Sequence, residues 1–94
     1  MSTEKSVHVR IEGRVQRVWY RAWTVKEATA LGLRGWVRNR LDDSVEAVFS
    51  GAAEAVDRMV EACKKGPPKA SVATVKAEPC DAPKETGFEH LPTV

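Results

Sequence analysis

The sequence predicts an α+β fold, one antiparallel sheet carrying two helices on a single face, in the order strand, helix, strand, strand, helix, strand. Apolar residues alternate in the stretches read as strands and recur at helical spacing in two others. The glycine and proline clusters fall between these stretches. At 94 residues the chain is predicted to be one domain spanning 1–94, with an ordered core over about residues 7–91.

Each element has its own justification. Val7, Val9 and Ile11 alternate with His8, Arg10 and Glu12, a half-buried strand that ends at Gly13. Between Tyr20 and Leu31, the residues Tyr20, Thr24, Ala28 and Leu31 fall on one helical face, Trp23 flanks it, and Gly32 supplies the stop. Trp36 to Arg40 reads as a short strand that turns through Leu41-Asp42-Asp43 into Val45, Ala47 and Phe49, so the two form a hairpin. Val56, Met59, Val60 and Cys63 give a second helix, closed by Gly66-Pro67-Pro68. Ser71 to Ala77 fits a fourth strand in which Val72 and Val75 break the alternation, which predicts a bulge or a late start. Phe88 marks a short fifth strand.

Composition narrows the function classes. With 43% hydrophobic and 30% charged residues, the chain is expected to fold rather than remain a disordered tail. A net charge of +2 is too small for a general nucleic-acid binder. Its distribution is more telling: Arg14, Arg17, Arg21, Arg34, Arg38 and Arg40 crowd the first half, while most acidic residues lie in the second, a pattern that favours a local anion site. There is no apolar run of bilayer length and no hydrophobic leader at the start, so a cytoplasmic protein without a membrane partner is expected. Cys63 and Cys80 have neither redox nor zinc spacing and are expected to be free thiols.

The segment from Gly13 to Arg21 lies between the first strand and the first helix, where backbone N–H groups and the helix N-terminus can converge on a phosphate. Arg21 adds a planar fork of donors that stays charged at physiological pH. Asn39, two residues after Val37, shares the strand face beneath the helices; its neutral amide can orient water without repelling an anion. Against this stand plainer readings: a helix-start arginine is usually solvated, and an asparagine near a hairpin usually serves the turn. His8 is expected to be exposed and His90 to lack a partner. The three tryptophans are read as core or surface-covering groups rather than base-stacking platforms.

Four ordered blocks carry a resemblance: G-R-V-Q-x-V-x-Y-R over Gly13 to Arg21, G-W-V-R-N over Gly35 to Asn39, S-V-E-A-V-F-S-G over Ser44 to Gly51, and G-P-P-x-A-x-V over Gly66 to Val72. With them the chain resembles the acylphosphatases from about Val7 to Phe88. The resemblance implies a ferredoxin-like βαββαβ sandwich that cleaves acyl phosphates to a carboxylate and inorganic phosphate without metal or cofactor. It implies that Arg21 binds the phosphoryl group and that Asn39 positions the attacking water. The backbone of Gln16, Arg17, Val18, Trp19 and Tyr20 would form the phosphate cradle. Its implied partners are a small acyl phosphate as substrate and inorganic phosphate as product and inhibitor, with the protein expected to act as a monomer.

The chain departs from the family pattern at Arg17, where a cradle glycine is usual, at Trp19, at Asp43 in the hairpin, and at His90 in the last strand. Three functions therefore compete: an acyl phosphate hydrolase; an anion-binding module whose turnover is weak or lost because Arg17 replaces glycine; and an RNA-binding face built from the arginine cluster.

Overall fold

A computed structural model describes residues 3–94. The elements are β1 (Glu4–Arg14), α1 (Tyr20–Ala30), β2 (Arg34–Asn39), β3 (Val45–Ala52), α2 (Ala53–Lys65), β4 (Ser71–Pro79) and β5 (Phe88–His90). All five strands join one sheet in the order β4-β1-β3-β2-β5.

The core follows from strand parity. Val7, Val9 and Ile11 of β1 turn to one face with Val37 of β2 and Val45, Ala47 and Phe49 of β3. Against that face pack Tyr20, Thr24 and Ala28 of α1 and Val56, Met59 and Cys63 of α2, so both helices cover the same side. β4 pairs with β1 through a register shift: Glu12 faces Thr74 but Gly13 faces Val72, leaving Ala73 as the extra residue of a bulge. The broken alternation of Val72 and Val75 has this bulge as its cause.

One detail departs from the expected topology. The four longer strands pair antiparallel, but β5 runs parallel to β2, so the sheet is mixed. After β4 the chain crosses from one edge of the sheet to the other through residues 80–87, and it arrives running in the direction of β2. Phe88 anchors the new edge by stacking on Phe49, ring centroids 5.5 Å apart.

The face without helices is closed by charged side chains. Glu46 is centred there between its register neighbours Arg10 and Arg38. Its carboxylate accepts hydrogen bonds from Arg38 Nε at 2.7 Å and Arg40 Nη1 at 2.9 Å, and lies 2.6 Å from His8 Nε2. The guanidinium of Arg38 also lies over the Trp36 ring at 4.7 Å. His8 is thus half-buried and partnered, not simply exposed as its parity suggested.

Candidate active site

Three chain segments meet at one end of the sheet, on the helix side: the loop between β1 and α1, the end of β2, and the end of β5. They enclose a cleft of about 360 Å³ whose polar lining includes Arg17, Arg21, Asn39 and His90. Arg21, the second residue of α1, and Asn39, the last residue of β2, are both half-buried and face this same space. The sequence separates them by 18 positions; the βαβ crossover brings them together.

The loop is shaped by anchors at both ends. Gly13 has φ 127°, and a Cβ there would sit 2.4 Å from Ser71 O, so only glycine lets β1 pass the bulge into the loop. Val15 and Val18 are buried in the core and fix the loop from beneath. The Gln16 side chain donates from Nε2 to Arg40 O at 2.8 Å and to Ser44 O at 2.9 Å, which ties the loop to the β2–β3 hairpin next to Asn39. At the helix start, the Tyr20 hydroxyl donates to Cys63 O at 2.6 Å, docking α1 onto α2, and Gly66 leaves the room that the Tyr20 ring fills. Burial raises the Tyr20 phenol above its ordinary range and pushes the Cys63 thiol up to about 12, so both groups stay neutral. They are structural.

Between these anchors the backbone turns left-handed twice, at Arg17 (φ 62°) and at Trp19 (φ 66°, ψ 21°), the residue that caps α1. The cap has no side-chain hydrogen bond. Among the described residues, the N–H groups of Gln16, Arg17, Val18, Trp19 and Tyr20 donate to no protein acceptor. Unpaired amides at the electropositive end of a helix, with a guanidinium alongside, are suited to an anion carrying several acceptor oxygens.

Electrostatics agree with that reading. Among the described residues no carboxylate side chain lines the cleft, whereas Arg17, Arg21 and His90 do. Glu46, the neighbouring acid that would cancel this charge, lies on the other face of the sheet, occupied by Arg38 and Arg40. Burial alone would raise the Glu46 carboxyl, but hydrogen bonds from His8, Arg38 and Arg40 hold it down at about 2, so the acid remains ionised and engaged there. Trp19 is 77% exposed at the cleft mouth, outside the core, whereas Trp23 and Trp36 are half-buried. His90, expected to have no partner, stands in the cleft. Nothing in its local sequence marks it, because its position depends on the crossing to the far edge. Among the described residues no group of three or more His, Cys, Asp or Glu is placed to hold a metal ion, and no helix is long and apolar enough to cross a membrane.

The acylphosphatase family model matches residues 7–90. The chain belongs to the acylphosphatase family. An acylphosphatase of Rhodospirillum rubrum is 51% identical over 90 residues, covering 96% of this chain and 99% of the relative. The solved structure of an acylphosphatase from Coxiella burnetii superposes with TM-score 0.90 at 33% identity, covering 94% of this chain and 93% of that one. That of the Bacillus subtilis acylphosphatase gives 0.87 at 30% identity, with 95% and 99% covered. Of the acylphosphatase blocks read in the sequence, the first two fall on the loop and the β2 end, which line the cleft, and the other two on β3 and the α2–β4 segment. At the departure that matters most, Arg17 keeps a positive φ in place of glycine.

Proposed function

We propose that this acylphosphatase hydrolyses the carboxyl-phosphate anhydride of small acyl phosphates, with Arg21 and the loop amides from Gln16 to Tyr20 holding the phosphoryl group and Asn39 orienting the attacking water. The observation that carries the reading is that Arg21, Asn39 and the loop residues Arg17, Trp19 and Tyr20 line one cleft with no carboxylate among the described residues, while Gln16 and Val18 line the adjoining cavity with Asp43. Water held by the Asn39 amide attacks phosphorus opposite the acyl oxygen. The P–O bond to the acyl group breaks, the carboxylate leaves with its electron pair, and the proton of the water passes to the phosphate product. A carboxylate is a good leaving group, so positioning and charge stabilisation can carry the reaction without a strong general acid. Inorganic phosphate fits the same cradle and inhibits as product.

The weak-turnover alternative supposed a cradle that relaxes around Arg17; a backbone held at φ 62° there gives that alternative no support.

The test is phosphate release from benzoyl phosphate in excess chelator. Arg21→Ala should lower kcat by about 10²–10³-fold with the circular dichroism spectrum unchanged. Asn39→Ala should lower kcat far more than it weakens inhibition by inorganic phosphate. Near-normal turnover by a folded Arg21→Ala variant removes Arg21 from the reaction, and an equal collapse of kcat and phosphate affinity in Asn39→Ala makes Asn39 a binding residue instead.

A further inference from the structure

His90 is the imidazole in the cleft, and the proposed function gives it no role. β5 pairs with β2 so that His90 is in register with Val37, whose strand face carries Asn39 two residues on. The backbone is fixed there: Leu91 N donates to Val37 O at 2.9 Å, and Phe88, on the same strand face, is stacked into the core. The imidazole itself is exposed and, among the described residues, makes no hydrogen bond. It is therefore delivered to the cleft by a fixed strand and left with an unengaged ring.

We propose that His90 is a second side-chain ligand of the anion, closing on the phosphoryl group as imidazolium, so that anion binding takes up a proton from solvent. The inference rests on the cleft being the phosphoryl site.

The surroundings determine the sign. α1 presents Arg21 to His90, and the loop brings Arg17 into the same cleft. β2 presents the neutral Asn39, while its Arg38 is on the opposite face with Glu46. Glu89, adjacent in β5, alternates to that opposite face as well. The Val94 N–H donates to Asn39 O at 3.2 Å and Val94 O accepts from Leu41 N at 2.7 Å. Partial desolvation and then the Arg21 guanidinium hold His90 below the ordinary histidine value, which favours the neutral ring. A dianion between the two groups offsets the repulsion and favours the imidazolium. Affinity must then rise as pH falls through the bound-state pKa and level off below the free-state one.

Sulfate is the probe, because it stays dianionic across the range where phosphate titrates. Binding is measured by calorimetry from about pH 8 to about pH 5.5, with the His90 ring followed by NMR. The wild-type protein should bind sulfate about 10-fold more tightly at the acid end, and His90→Gln should reduce that gain to less than about threefold. Saturating sulfate should raise the His90 pKa by at least about half a unit. An unchanged pH dependence in His90→Gln, or a ring pKa indifferent to sulfate, overturns the inference while leaving the site reading intact. Sulfate affinity that Arg21→Ala does not alter overturns both.

Discussion

Arg17 and Trp19 each hold a side chain where the backbone is left-handed, a conformation that costs an L-residue about 1–2 kcal/mol. Such strain persists only where the surroundings enforce it, here through buried Val15 and Val18 and the Gln16 tether. Arg17→Gly removes the strain while leaving the amides in place. It should raise the melting temperature of the free protein by several degrees and keep or increase kcat/KM. A variant both less stable and less active shows instead that the Arg17 guanidinium contributes to the site. Legibility at this scale was uneven. Spacing alone marked Arg21 and Asn39 only weakly; the blocks that carry the acylphosphatase resemblance singled them out, and both line the cleft. His90 escaped because its neighbours come from α1 and β2, and its own three-residue strand carries no signal of where it docks. The same holds for His8, whose partner Glu46 is 38 residues away.

Elements whose pattern is set by burial on one face were read well: β1 alternates from Ser6 to Ile11, and α1 and α2 bury residues at helical spacing. The orientation of β5 was not legible, because it depends on the route of residues 80–87 rather than on any periodicity. The polar side of the sheet was equally hidden, since alternation assigns Glu46 to solvent, whereas three basic side chains leave it only 7% exposed. Its carboxyl titrates at about 2 rather than 4.5, and a depressed carboxyl contributes stability that is complete above the ordinary value and is lost as pH falls toward about 2. Glu46→Gln should therefore lower stability at neutral pH by on the order of 2 kcal/mol and flatten the acid limb of the curve. Melting temperatures across pH 2 to 7 check this; an acid limb identical to that of the parent assigns the sensitivity to other groups.

For the whole molecule, the cleft depends on contacts between remote parts of the chain: the loop after β1, the end of β2 and an edge strand that arrives last in the sequence. β1 itself pairs with β3 on one side and with β4 on the other, so Val7 lies opposite both Phe49 and Pro79. A topology of such distant pairings has a high contact order, and the search for it is slow compared with that of a helical bundle. The placement of β5 at the sheet edge extends this into time: the central strands can condense before the three-residue strand docks, and only docking brings His90 to Arg21 and Asn39. On that order of events the transition state for folding would hold little of the proposed anion site, and a ligand would have nothing to grip on the way up the barrier. Sulfate should slow unfolding in proportion to its occupancy and leave the refolding rate nearly unchanged, an asymmetry that stopped-flow tryptophan fluorescence can resolve. Equal effects on both rates would place the site in the folding nucleus. With the cleft binding an anion as proposed, the edge strand that supplies His90 should make that anion a brake on unfolding, so that the kinetic lifetime of the folded protein follows the supply of its ligand.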